Sequence, residues 1–434
     1  MRKLTLVFAL LISFIGTSFA ANSFSHRFFE FRVDAPVQVS NNMVGVTDLL
    51  QEVVVIDLSE IAKKVAKKGA AIKAFAAPSF SINLDIPRGL ILGLSFGLES
   101  DVSVGISEDL FEFLGNGNAN IGDDFKVQTS NTYADIFATI TAKGGWNFKK
   151  SKIEFEATAF SSIAHFDATQ TSARVFLKDN KAGVEANLEA KGYSICDLTN
   201  WSNVSAIVNS VGQSIGFDVA AKYERDIFRY LTLGGQVRIP IVPSRLTLGY
   251  DVSYPFSKTL GFDEYLGLGD GEEESSSEVP QIQEGDDEDE ELSGLEGILG
   301  KPKKLDTPYA IHRPLKLGVS ANFHPFGSLL CTTGYLGIGC RHPFASAINQ
   351  KNGGVDETQF YVDYSIGGRL SLWNVLSFSM AHSRMDEIFK NQFAVELNIR
   401  VIEVDAGVSF QSTNFAQSFT GAGMGAFVTL CIGF

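Results

Sequence analysis

Met424-Gly425-Ala426-Phe427-Val428-Thr429-Leu430-Cys431-Ile432-Gly433-Phe434 ends the chain, and its reading decides the fold. Met, Ala, Val, Leu, Ile and Phe take the even positions, and the odd ones between them are mostly small or weakly polar. A period of two is that of a β-strand with one apolar face. Working back, Leu90 to Ile106 repeats the pattern most cleanly. Leu90, Leu92, Leu94, Phe96, Leu98, Val102, Val104 and Ile106 alternate with Gly93, Ser95, Gly97, Glu99, Asp101, Ser103 and Gly105.

Similar strands are expected at about 75–86, 127–148, 153–166, 214–225, 231–242, 245–256, 313–323, 329–340, 358–373, 375–386, 391–401 and 402–411. One face carries residues such as Ile136, Ile140, Trp146, Phe217, Tyr223, Leu246 and Tyr250. The other carries Glu154, Glu156, Asp218, Lys222, Gln236, Arg238, Asp251, Lys316, Asp363, Arg369, Glu396 and Arg400. A sandwich would bury one face as a core, whereas a membrane barrel turns its apolar face to lipid and its charged face to a wet lumen. Trp146, Phe148, Tyr254, Phe256 and Trp373 lie near strand ends, where interfacial aromatic girdles form.

Hydrophobic residues make up 45% of the chain, yet no run beyond the first residues approaches the ~20 apolar residues of a spanning helix. With 41 Gly and 35 Phe dispersed in alternation, the fold class is an all-β antiparallel transmembrane barrel of about 14 strands, 12 to 16 being compatible. Tight connections at 242–244, 324–327, 373–374 and 400–403 alternate with mostly longer ones at 257–312, 341–357, 387–390 and 412–419. Short turns face the periplasm in such barrels, so the long ones face outward. Residues 107–124 read as a further loop with a helical stretch at 108–114. Region 167–213 holds a possible strand at 183–195 and a helical piece at 201–212.

At the front, Arg2 and Lys3 precede an apolar run from Leu4 to Ile15, and small residues stand at Ser18 and Ala20. This predicts a signal peptide over 1–20. Residues 21–72 differ from the barrel region at 73–434 and are assigned as a partly helical N-terminal hatch. Asp57 to Gly69 forms an amphipathic helix there, with Leu58, Ile61, Ala62 and Val65 on one face, lysines on another and Gly69 as the stop. A plug in the pore, a helix on a membrane surface and a solvated periplasmic helix all fit that pattern.

The run 270–291, inside the loop 257–312, carries twelve acids and no base, and without it the formal net charge of −14 would be −2. A cation-concentrating loop and a solvated disordered one both fit, although calcium-loop spacing is missing. Cys196, Cys331, Cys340 and Cys431 form no CxxC pair, and Cys331 and Cys340 sit about 30 Å apart on one strand, which reads as unpaired thiols. HExxH, GxSxG and Walker motifs are missing, and the six His are scattered. His382 and Ser383 point to opposite faces of their strand. No catalytic, cofactor or metal residues are assigned, and basic-aromatic patches for nucleic acid are missing too.

The terminal Phe434 resembles the C-terminal aromatic through which outer-membrane barrels meet the barrel-assembly machinery. Together with the leader, the helical segment and the strand count, it resembles the long-chain fatty-acid transporter type of outer-membrane barrel, in the divergent versions found in spirochaetes. The resemblance implies a 14-stranded barrel in the bacterial outer membrane, closed by an N-terminal hatch and taking up hydrophobic molecules passively, with outer-membrane lipid and a hydrophobic small molecule as partners. Phe160 and Phe427 fall on the otherwise polar face, as Phe111 and Phe113 fall in a loop, so Phe160, Phe427 and Ile61 of the helix are the candidate ligand contacts. These Phe either line an apolar pocket or pack against the hatch. A structural or host-contacting surface barrel, whose acidic loop is the working part, is the competing reading.

Overall fold

The computed structural model describes residues 27–43, 61, 63, 65, 69–86, 89–111, 124–129, 132–168, 171–178, 181–197, 209–212, 214–261, 302–341, 343, 359–385, 388–399, 401–419 and 422–434. The leader at 1–20, the acidic run at 270–291, Phe113 and Arg400 lie outside them, as do the side chains of Tyr254 and Phe256.

β1 (Phe29–Asn41) pairs with both β2 (Ala70–Ala76) and β3 (Ser79–Ile86), which lie in line and share one wall position. Both pair in turn with β4 (Leu90–Ile106). The wall continues through β6 (Tyr133–Asn147), β7 (Ser151–Asp167), β10 (Ile215–Phe228), β11 (Leu231–Val242) and β14 (Leu315–Phe323). It goes on through β15 (Leu330–Arg341), β16 (Gln359–Leu372), β17 (Leu376–Met385), β18 (Ile388–Asn398), β19 (Ile402–Ser412) and β20 (Met424–Gly433). β20 then pairs back onto β1 from Glu30↔Gly433 to Val39↔Met424. Every pairing is antiparallel and the ring closes at 14 wall positions. Closure leaves no strand edge, as backbone in hydrocarbon requires.

Five further strands rise past the ring: β5 (Asp124–Gln128), β8 (Ser172–Lys178), β9 (Lys181–Ser194), β12 (Ser244–Gly261) and β13 (Lys303–Ile311). β9 takes the wall place beside β7 that β10 holds lower down. β12 continues β11 through Pro243, and β13 leads into β14 through His312-Arg313-Pro314. Two corrections follow. Residues 245–256 are an upward extension of the preceding strand rather than a wall strand after a turn. Of the expected loop 257–312, residues 257–261 and 303–311 are strand.

The larger correction concerns the hatch. Phe29–Asn41, expected within it, is a wall strand, because Phe29, Phe31, Val33, Val37 and Val39 alternate with Glu30, Arg32, Asp34, Gln38 and Ser40. The helix is real where it is described: Ile61 and Val65 are buried and Lys63 is exposed. Gly69 ends it at φ 71°, donating its N–H to the Val65 carbonyl at 2.9 Å. A Cβ there would fall 2.2 Å from the Ile106 carbonyl oxygen, so only glycine fits this stop. Ile61, Val65 and Ala70 pack with Met43, Ile106 and Phe111. That places the helix at the far ends of β2 and β4, opposite the end that holds Phe29 and Phe434, and not on the periplasmic side.

Links at the terminal end are short, such as Leu372 to Val375, where Trp373 and Asn374 adopt φ 52° and 56°. Those at the far end are long, except the two-residue link 386–387. The far end therefore faces outward. A protease that cuts after acidic residues should nick residues 270–291, which lie between β12 and β13, in intact cells without unfolding the barrel. Cleavage seen only after the outer membrane is lysed would place that loop on the inner side.

Outward-facing residues form the lipid belt: Leu94, Leu98, Ile140, Leu317, Val319, Leu336, Ile338, Ile366, Met380, Phe393 and Val395 are all exposed. At the terminal end Trp146, Phe148, Phe228, Tyr230, Phe326 and Trp373 make the expected aromatic girdle.

Candidate functional site

Alternation that turns apolar side chains to lipid necessarily turns the others inward, and the inner face is charged. Near the terminal end it lines two recesses. One, of about 680 Å³, is bordered by Lys149, Lys152, Glu224, Asp226, His324 and Arg369. The other, of about 580 Å³, is bordered by Arg32, Asp34, Glu154, Glu156, Lys222 and Asp405 among others. Ion pairs Lys143–Glu154 at 2.6 Å and Lys222–Glu156 at 2.9 Å tie neighbouring strands in this half of the lumen, and Arg369–Glu396 at 2.5 Å spans from β16 past β17 to β18.

Midway up, the lumen is crossed. Arg313, on the link from β13 to β14, is only 2% exposed. Its Nη1 donates to Asp218 of β10 at 2.5 Å, while Nη2 and Nε fork onto Glu99 of β4 at 2.5 and 3.3 Å. β14 and β4 lie five wall positions apart. In a round barrel of this size, with strands ~4.8 Å apart and tilted about 40°, such positions are roughly 25 Å from each other. An arginine and a glutamate together reach about half that distance. The link must therefore bend inward, and Pro314, which has no N–H to donate to a ladder, sits at the bend. Nearby, Arg341 of β15 lies 3.8 Å from Asp101 of β4, with its guanidinium 4.6 Å from the Tyr133 ring centroid. Two arginines thus hold opposite walls together.

Beside these struts lies an apolar layer. Phe137, Phe160, Tyr193, Ile195, Cys196, Leu246, Tyr309 and Ile311 form one buried cluster. Phe137 meets Phe160 edge-on at 5.9 Å, and Tyr193 stacks on Tyr309 at 3.9 Å. Arg313 sits 5.8 Å from the Phe160 ring centroid, which joins the charged and apolar layers. His165 completes the joint, with Nδ1 2.6 Å from Asp135 and Nε2 3.3 Å from the Tyr309 hydroxyl. An acceptor on Nδ1 favours the tautomer whose Nε2 accepts from the tyrosine.

The three candidates from sequence fall in three places. Phe160 is 1% exposed at the centre of this layer. Phe427 is also buried on the inner face, but it packs with Ala394 and Val37 on the other side of the ring. Ile61 belongs to the cluster at the outer mouth. Phe111 packs with Ile61 there and not in the lumen. Arg313, Tyr309 and Asp135 carry no motif; the one signal is a proline directly after an arginine in a strand-like run. His382 turns outward and Ser383 inward, so they form no reactive pair. The four cysteines are free.

No family model matches the chain, and no curated protein does. Among solved structures, the P. putida toluene transporter TodX is similar at 7% identity and a TM-score of 0.43, over 94% of this chain and 89% of that one. A Pseudomonas aeruginosa FadL homologue is similar at 9% identity and a TM-score of 0.41, over 94% and 89%. The translocator domain of the autotransporter NalP from Neisseria meningitidis stands at 6% and 0.37, over 100% and 94%. The fold rests on the strand pairing itself and not on likenesses this distant.

Proposed function

We propose that the chain is a bacterial outer-membrane channel for passive uptake of hydrophobic molecules, with long-chain fatty acids as the expected cargo. One observation carries this reading: a layer of Phe137, Phe160, Tyr193 and Tyr309 inside a lumen that is otherwise ionic. An acyl chain replacing contacts in such a layer gains about 0.8 kcal/mol per buried methylene, so ten methylenes suffice to offset a local rearrangement. Closure is assigned to the arginine struts together with the layer, while Ile61 and Val65 pack at the outer rim beside the ends of β2 and β4.

The ionic recesses favour a second reading, a porin-like or surface barrel for which the aromatic layer is merely a core. Binding of a fluorescent fatty acid to the purified full-length protein separates the two. Phe160→Asn should weaken binding about tenfold or more, since one buried apolar side chain is worth ~1.5–3 kcal/mol. Phe427→Leu, away from the layer, should leave it unchanged. Heat-modifiable gel migration checks that both variants fold. Saturable binding that ignores Phe160→Asn, or no binding to the folded wild type, removes the uptake reading and leaves the porin-like one.

A further inference from the structure

On the outward face of β16 to β18, near the outer rim, the lipid belt is interrupted. Arg384 of β17 faces lipid beside Phe389, with its guanidinium 5.6 Å from that ring centroid. Nη1 donates to the Val362 carbonyl at 3.2 Å, whereas Nε, shielded from solvent, has no hydrogen-bond partner. From Leu376, where β17 leaves the turn that bears the girdle residue Trp373, to Arg384 is eight residues of strand, roughly 21 Å along the barrel axis at a tilt near 40°. An outward band of about 25 Å is apolar in such barrels, and with the turn below Leu376 added to that rise Arg384 stands at the outer edge of the band, next to the headgroups. A guanidinium is costly deeper in lipid and tolerated there.

A phenyl ledge lies beside it. The outer loop after β19 folds down along the wall and presents Phe415, just before its short helix Ala416–Phe419, and Phe419, which are 51% and 60% exposed. Their rings lie 5.4 and 5.6 Å from that of His382. A hydrogen-bonded chain fixes the ledge: Tyr364 hydroxyl to His382 Nε2 at 3.2 Å, His382 Nδ1 to Asn391 at 2.8 Å, and Asn391 Nδ2 to the Ser418 carbonyl at 3.0 Å. The rings are therefore held in place while remaining uncovered by protein.

We infer that Arg384 with Phe415 and Phe419 is a docking site for a phosphate-bearing lipid of the outer leaflet. The guanidinium takes the phosphate through Nη2, which holds no protein acceptor among the described residues, while Nη1 stays on the Val362 carbonyl, and the first methylenes lie on the two phenyl rings.

Native mass spectrometry of the full-length detergent-purified protein tests this, with dioleoyl phosphatidate against dioleoylglycerol as probes. The wild type should retain the phosphatidate at least tenfold better. Arg384→Gln should reduce that preference to threefold or less, and the pair Phe415→Ala with Phe419→Ala should weaken retention of both lipids. An unchanged preference in Arg384→Gln overturns the site. Displacement of phosphatidate by millimolar inorganic phosphate alone overturns the lipid assignment.

Discussion

Replacing Arg313 by methionine should open the barrel, raising its single-channel conductance in planar bilayers several-fold. The guanidinium holds Glu99 and Asp218 together across the lumen, and Asp218 is 1% exposed with one carboxylate oxygen lacking any partner. Methionine conserves much of the volume but leaves both carboxylates without their cation. Removing one partner of a buried ion pair typically costs ~3–5 kcal/mol, because the remaining charge is left uncompensated. The cheapest relief is for the 312–314 link to move back toward the wall, so that water reaches Asp218 as it already reaches Glu99. The closed state then loses its strut while the ring, held by backbone pairing, stays intact. Neutralising the acids as well, with Glu99→Gln and Asp218→Asn, should recover most of the thermal stability without closing the pore. Arg341→Met should have the smaller effect, since its ion pair is longer and part of its hold is on the Tyr133 ring. A folded Arg313→Met barrel with wild-type conductance would show that the aromatic layer alone shuts the lumen.

The wall was legible in the sequence wherever one face meets lipid along a whole strand. Leu90–Ile106 lies where its alternation predicts, with Leu92, Leu94 and Leu98 exposed outward and Glu99 turned in. The count of fourteen survives although its membership differs. Phe29–Asn41 alternates as well as any strand, but it lies next to the helical segment and contains Pro36. The structure shows why proline is tolerated there. Pro36 accepts from Ala77 through its carbonyl, so its missing N–H faces the break between β2 and β3, where Pro78 also interrupts the ladder. Pro243 misleads in the opposite sense, since a proline between two alternating runs reads as a turn although the strand runs on. The site was legible only in parts. Phe160 stands out as an apolar residue on a charged face, and Asp218 as a recurring inward charge. Their meeting with Arg313 depends on an inward bend between strands five positions apart, and a period-two pattern contains no information about such a chord.

Deleting residues 29–41 should abolish barrel assembly, whereas deleting 47–60 should not. The first deletion removes the strand that pairs with β20 on one side and with β2 and β3 on the other. Those neighbours would face lipid with a row of unpaired N–H and C=O groups, each costing several kcal/mol in hydrocarbon. Reclosing as thirteen strands would put β20 and β2–β3 side by side in parallel, since each runs antiparallel to β1. The Phe434 N–H and carbonyl, both bonded to Phe29, would also lose their partners. The second deletion lies between wall strands, upstream of the described helix residues. It spares Asn42, whose side chain bonds the Gly69 carbonyl and the Ala71 N–H and so joins β1 to β2 at the outer rim. Heat-modifiable migration and protease resistance in isolated outer membranes read both outcomes. If 21–72 were a separable hatch, both deletions would leave a resistant barrel. Loss of resistance confined to the 29–41 deletion is what a wall strand demands, and a resistant barrel lacking 29–41 would refute the closure between β1 and β20.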